Sequence, residues 1–236
     1  MLRQPISLIR SELRKLQNLI YHNVYIPPKT NQEAIDKFHE IYFDSHAFSK
    51  TFWLGVPVRK CPFDLWVYQE IIFSHKPDLI IECGTDLGGS TFFFASMCDI
   101  VKHGRIISID IAHLKDRPMH DRITYLLGSS IAKETKEKIK SMIKPGEKVM
   151  VILDSNHTRD HVFEELKIYN EFVTKGNYLI VEDSNINSHP VFPEFGPGPM
   201  EAIHDFLKIN NDFIIDKKQE KFFITFNPDG YLLKVK

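Results

Sequence analysis

Between residues 78 and 210 the chain alternates short, unbroken apolar runs with longer stretches of helical periodicity, and this alternation restricts its fold more than any other feature. The runs DLIIECG, RIISIDI, KVMVILD and NYLIVED are apolar at nearly every position, not at every second one. Strands of that kind have both faces covered, as in a parallel sheet held between two layers of helix. ITYLLG reads as a further strand, and GSTFFFASMCDIVK, KETKEKIKSMI, RDHVFEELKIYNEFV and GPMEAIHDFLKIN read as helices. Strand–helix alternation of this length predicts a doubly wound α/β domain. FIID and FFITFNPDGYLLKV then follow with no helix between them, which predicts an antiparallel edge, the second strand being open to a break at Asn227–Gly230.

Residues 1–60 differ in character, and we divide the chain into an N-terminal helical extension over 1–60 and a main domain over 61–236. Two helical patterns, 6–21 and 31–43, flank the Pro27-Pro28 break, and TFWLGVPVRKCP reads as a loop. FDLWVYQEIIFSH, residues 63–75, reads as a helix stopped by Lys76-Pro77. Ile6, Ile9, Leu13, Leu16 and Ile20 form one apolar stripe, suited to docking on the domain or a second subunit. Arg3, Arg10, Arg14 and Lys15 also suit peripheral contact with a membrane surface. We expect a homo-oligomer joined through this extension.

Lys and Arg total 30 against 31 Asp and Glu, a balance with no global pull toward nucleic acid. Three cysteines without a CxxC pair exclude a cysteine zinc site and fit a reducing, cytoplasmic setting. No apolar run approaches the ~18 residues of a membrane span.

Ligands of an open α/β sheet bind beyond the carboxyl ends of its strands. The first strand ends in Glu82-Cys83-Gly84-Thr85-Asp86-Leu87-Gly88-Gly89-Ser90, the second in Asp110, the third in Gly128-Ser129-Ser130 and the fourth in Asp154-Ser155-Asn156-His157. Gly84, Gly88 and Gly89 let the backbone approach a ligand, and the helix that starts at Gly89 offers free N–H groups. The G-x-x-x-G-G spacing departs from the G-x-G-x-x-G of a dinucleotide site, which weighs against a nicotinamide or flavin cofactor. Asp110, at the end of the next strand, is placed to accept ribose hydroxyls. A ligand with adenosine but no required diphosphate fits both elements, and S-adenosylmethionine is such a ligand.

Asp154 ends one strand and Glu182-Asp183 the next, one strand–helix repeat later. Adjacent strands lie ~4.8 Å apart, so these carboxylates can converge. Three converging carboxylates require a cation or protons, and an all-oxygen site favours a hard ion such as Mg²⁺, Mn²⁺ or Ca²⁺ over zinc. His157, three residues after Asp154, stands where an imidazole can take a proton, with His161 a competitor on the same segment. PVFPEFGPGPM (190–200) is expected to overhang the carboxylates as a stiff lid, with Phe52, Trp53 and Trp66 walling the same pocket.

Taken together, YQEII (68–72), ECGTDLGGS (82–90), ISIDI (107–111), LGSS (127–130), LDSNHTRDHVFEEL (153–166), VEDS (181–184), GPGPMEAIHDFL (196–207) and EKFFITFNPDGYL (220–232) resemble the cephalosporin hydroxylase / rhamnosyl O-methyltransferase family. The resemblance implies a Rossmann-like class I methyltransferase fold, with a seven-stranded, mostly parallel sheet and an antiparallel last strand. It implies S-adenosylmethionine in the turn from Glu82 to Ser90 with Asp110 on the ribose, and a divalent metal on Asp154, Glu182 and Asp183. Ser129, Ser130 and Ser155 fall on the same cofactor-facing edge. The catechol O-methyltransferase group has the same metal spacing, with a lysine base where this chain has His157. The resulting expectation is metal-dependent O-methylation of a hydroxyl, with Asp154 and His157 catalytic and the acceptor a sugar on a glycolipid, surface polysaccharide or glycosylated metabolite. A non-catalytic S-adenosylmethionine-binding partner subunit is the alternative.

Overall fold

β3 (Leu79–Cys83), β6 (Val149–Leu153) and β7 (Tyr178–Val181) are buried at every residue. They are the unbroken apolar runs of the sequence, and in this computed structural model, which describes residues 31–236, they form the centre of a seven-stranded sheet. β4 (Arg105–Asp110) and β5 (Ile123–Leu127) extend the sheet on one side, and β8 (Phe213–Ile215) and β9 (Tyr231–Lys234) on the other. The order is β5-β4-β3-β6-β7-β9-β8. All pairings from β5 to β7 are parallel, and β9 runs antiparallel to both β7 and β8. The antiparallel strand is therefore the last in the chain but not the last in the sheet.

Residues of β3 alternate between two cores. Leu79, Ile81 and Cys83 face one, with α4 (Lys133–Met142), α5 (Arg159–Tyr169) and α6 (Pro199–Ile209) against it through Ile139, Val162, Leu166, Ala202, Ile203 and Phe206. Ile80 faces the other, packed on α2 (Pro62–His75) and α3 (Gly89–Ile100) through Tyr68, Ile71, Ile72, Phe93 and Phe94. Helices thus cover both faces, as the continuous apolar strands require. Residues 36–236 form one compact unit. α1 (Gln32–Asp44) matches the expected helix over 31–43, whereas the helix expected over 6–21 lies outside the described residues.

Two expectations need correction. FFITF is not a strand: after a short turn of 3-10 helix (Lys217–Glu220) the chain runs irregularly to β9. Its backbone groups go elsewhere, Phe226 N–H to the Asp64 carboxylate at 2.8 Å and the Phe226 carbonyl to Asn185 N–H at 3.2 Å. Ile224 and Phe226 pack on Cys61 in a third, small core instead of joining the sheet. The loop TFWLGVPVRKCP also contains a two-residue hairpin, β1 (Phe52–Trp53) with β2 (Val56–Pro57).

The chain passes from β3 to β4 and β5 on one side, then returns to β6 and β7 on the other. Connections therefore diverge above the carboxyl ends of β3 and β6, which opens a crevice there.

Candidate active site

Gly84 makes the crevice possible. It follows β3 at φ +95°, and a Cβ there would stand 1.9 Å from the Asp154 carbonyl oxygen. Gly89 performs the same service for the hairpin, since a Cβ would lie 2.0 Å from the Pro57 carbonyl oxygen. The turn between them is braced from below by Glu82, fully buried, whose carboxylate accepts hydrogen bonds from Ser90 (2.5 Å), Ser108 (2.8 Å) and Thr91. Burial raises its pKa, and those hydroxyls and the nearby Lys60 act against the rise. Glu82 is thus a brace for the turn and lines neither lobe of the cleft.

The first lobe has a volume of about 390 Å³, within the range of small-molecule sites. Gly84, Asp86, Asp110, Ser129, Ser130, Asp154 and Ser155 line it, together with apolar Ile109, Ile111 and Leu114. Asp110 already holds several donors: Oδ2 accepts from Thr85 N–H (3.1 Å), Asp86 N–H (2.8 Å) and Arg117 Nη2 (2.7 Å), and Oδ1 from Ala112 N–H (2.8 Å). Arg117 also donates to the Asp86 and Ala112 carbonyls, tying the loop after β4 to the first turn. His161 reaches this lobe from α5, with Nε2 3.2 Å from Ser130 Oγ and 3.1 Å from Ser155 Oγ.

The second lobe, about 290 Å³, shares Gly84, Asp86, Asp154 and Ser155 with the first, so the two form one cleft. Thr85, Gly89 and Ser90 line it with Pro57, Val58, Arg59 and Phe48, and His157 and Asp183 stand at its end. One donor atom from each of Asp154, His157 and Asp183 falls within a 4.8 Å cluster. His157 Nε2 lies 3.2 Å from Asp183 Oδ2. Asp183 sits at φ +54°, a left-handed conformation costly for a non-glycine residue, and Asn227 Oδ1 accepts its N–H at 3.2 Å. Two converging carboxylates are a donor set for a hard divalent ion, so the residues present fit one, with the imidazole of His157 standing beside it.

Of the three carboxylates expected to converge, Asp154 and Asp183 do so, and His157 completes the group. Glu182 stands outside that cluster and meets Asp154 at the Lys60 ammonium instead. Its Oε1 accepts from Lys60 Nζ at 2.6 Å and from Tyr68 OH at 2.6 Å, and Lys60 Nζ also donates to Asp154 Oδ2 at 2.7 Å. Burial pushes the Glu182 carboxyl up to about 7, against the pull of Lys60. Burial also raises Asp154, again opposed by Lys60. For Lys60 itself, burial favours the neutral amine, but Asp154, Glu182 and Glu82 prevail and hold the ammonium above its ordinary value.

Gly88 also stays out of the cleft, at φ +82°, where a Cβ would crowd Pro118. No residue of 190–200 lines either lobe, so the expected lid does not overhang them in this conformation. Trp53 packs edge-on against Phe93 and bonds Ser96, Trp66 is exposed and bonds Glu70, and Phe52 is exposed, so none of the three walls the cleft. Lys60, Tyr68, Arg59 and Arg117 were not expected at the site. Lys and Arg in a loop carry no pattern that announces burial, and Tyr68 reads only as a core position of α2.

The sequence model of the Rhamnosyl O-methyltransferase/CmcI family matches residues 45–235. A rhamnosyl O-methyltransferase of Mycobacterium leprae (strain TN) is 34% identical over 229 residues, covering 94% of this chain and 98% of the relative. One from Mycobacterium tuberculosis (strain ATCC 25618 / H37Rv) is 35% identical over 239 residues, covering 98% and 94%. A solved structure described as CmcI-D160 with Mg and SAM superposes with a TM-score of 0.62 at 21% identity, covering 80% of this chain and 78% of that one, which is a likeness of fold.

Proposed function

The chain belongs to the Rhamnosyl O-methyltransferase/CmcI family, and from that premise we propose that it is an S-adenosylmethionine-dependent O-methyltransferase acting on a sugar hydroxyl with a divalent cation. The observation that carries the reading is the cluster of Asp154, His157 and Asp183 at the end of a cleft whose other lobe is floored by the glycine turn after β3. Sugar specificity follows the names of the mycobacterial relatives. A glycolipid, surface polysaccharide or glycosylated metabolite is the acceptor class we propose.

In this reading the lobe with Asp110, Ser129 and Ser130 takes the adenosine, its apolar wall of Ile109, Ile111 and Leu114 covering the base. Thr85, Asp86 and Ser90, which line the second lobe with Asp154, would hold the methionine end. Asp154 and Asp183 would hold a divalent ion, which when bound would supply Lewis acidity at the acceptor hydroxyl. Asp183 holds the imidazole of His157 at the mouth of the second lobe, 3.2 Å away, and His157 receives the hydroxyl proton. Phe48, Pro57 and Val58 offer an apolar face for the sugar ring, and one cleft that takes both donor and acceptor would supply proximity. The loop before residue 60 is on this reading the acceptor-facing part of the extension.

Titration of S-adenosylmethionine into the purified protein, with Mg²⁺ and again after EDTA, tests the cofactor. One-to-one binding is expected in both. Absence of binding in both removes the proposal. Purified protein should then methylate a rhamnose-bearing acceptor without a second polypeptide. Strict need for a partner protein would instead favour the non-catalytic subunit. Replacing His157 by Ala should lower kcat about 10²–10⁴-fold with little change in cofactor affinity, the range for loss of a general base.

A further inference from the structure

Lys60 is 3% exposed, lines neither lobe of the cleft and reaches the carboxylates of Asp154 and Glu182. It enters from the loop between β2 and α2, directly after Arg59, whose backbone is left-handed at φ +56°. Its Nζ spans the ends of two neighbouring strands, 2.7 Å from Asp154 Oδ2 and 2.6 Å from Glu182 Oε1. Behind it the polar chain continues inward. Tyr68 OH donates to Glu182 and accepts from Asn227 Nδ2 at 3.3 Å, Asn227 also donates to Tyr231 OH at 3.4 Å, and Tyr231 OH donates to Asp64 at 2.9 Å. These contacts hold Lys60 and Glu182 from several directions, so the ammonium is a fixed part of the fold.

We propose that Lys60 is a positioning residue and a permanent internal cation of the metal centre, a role that rests on the metal-dependent reading above. Asp154, Glu182 and Asp183 bring three negative charges, and Lys60 neutralises one from behind. The cleft side then presents a net charge that a single divalent ion balances. By engaging Oδ2 of Asp154, Lys60 also restrains the orientation of that carboxylate. A buried carboxylate pair left without its cation is strongly destabilising, so the same lysine keeps the empty site folded. Metal binding is thereby uncoupled from folding, and the ion can be exchanged without loss of the structure around it.

The test uses the full chain, Mn²⁺ alone as probe, and no acceptor. In Lys60→Gln the side chain can still donate a hydrogen bond but carries no charge. Its thermal midpoint without metal should fall below that of wild type, and saturating Mn²⁺ should raise it by clearly more than the wild-type increment, since a ligand of the native state stabilises by the logarithm of its concentration over Kd. Mn²⁺ affinity, read by electron paramagnetic resonance at pH 8, should be about tenfold or more tighter, because a positive charge has been removed from beside the ion. Tyr68→Phe, which removes a hydrogen bond from the same Glu182 oxygen without changing charge, should keep the wild-type increment. If Lys60→Gln folds only in Mn²⁺, EDTA should unfold it and leave wild type folded, which is the same result in stronger form. Equal Mn²⁺ increments in wild type and Lys60→Gln overturn the proposal, as does a variant that fails to fold in saturating Mn²⁺. No Mn²⁺ response in wild type would overturn the metal reading itself, and that failure shows before any variant is made.

Discussion

Asp64 is 1% exposed and is satisfied by three donors: Thr225 Oγ1 at 2.5 Å, Phe226 N–H at 2.8 Å and Tyr231 OH at 2.9 Å. Burial pushes its carboxyl up to about 7, although the same donors oppose the rise. Asp64→Asn would turn an acceptor oxygen into a donor facing other donors, and should cost about 2–4 kcal/mol in urea unfolding. His39 offers a pH signature. It is buried against Phe226 with Nε2 3.0 Å from Asn185 Nδ2, and burial lowers its pKa from 6.5 to about 4. The unfolded chain takes the proton first, so its contribution is complete above pH 6.5 and is lost as pH falls toward 4, by up to about 3 kcal/mol. The difference in unfolding free energy between wild type and His39→Gln should narrow over that window. At this scale the sequence was readable where chemistry and strand ends coincide, as at Asp154, His157 and Asp183. It was silent on Lys60, because a lysine inside a protein is recognised only by the carboxylates that meet it from strands distant in sequence.

Elements carry the next layer. The turn after β3 tolerates no side chain at Gly84: φ is +95° and the Asp154 carbonyl occupies the place of a Cβ. Gly84→Ala should destabilise by about 3 kcal/mol or more and abolish cofactor binding, as thermal melts with and without S-adenosylmethionine would show. At the start of α6, Glu201 accepts from Gly198 N–H at 2.7 Å, from His189 at 2.8 Å and from Asn187 at 3.0 Å. Burial works against ionisation there, but these bonds hold the carboxyl down at about 2. Its contribution is present above the ordinary 4.5 and lost as pH falls through about 2. Glu201→Ala should therefore cost about 1–2 kcal/mol at pH 7, and the gap should close in strong acid. Element types from β3 to α6 were legible because their apolar runs have no other use than a doubly covered sheet. FFITF misled for a physical reason. An apolar run looks the same whether its backbone pairs with a strand or with the Asp64 carboxylate.

For the whole molecule, the doubly wound order places every polar strand end along one edge, and the cleft follows from the divergence at β3 and β6. That much was implied by alternation alone. The division of the cleft into two lobes was not, since it depends on how closely the Pro57 carbonyl approaches Gly89. A ligand that bridges both lobes should stabilise residues from both halves of the sheet together. S-adenosylmethionine at 100 times its Kd should raise the unfolding free energy by about 2.7 kcal/mol in one cooperative transition. Two separate transitions would show that the halves unfold independently.

The position of β9 has a consequence for biosynthesis. This strand lies between β7 and β8, and the irregular segment before it gives Asn227 Oδ1 to the N–H of Asp183 and the Phe226 carbonyl to the N–H of Asn185. Until the segment from Phe226 through β9 has been synthesised, β8 has no partner in the sheet and the loop carrying Asp183 lacks its clamp. A chain ending before Phe226 contains every residue that braces the glycine turn at Glu82 and Asp110, but lacks the contacts that fix the carboxylate end. A message truncated before the codon for Tyr231 yields a product with an open sheet edge, exposed to aggregation and to proteolytic clearance.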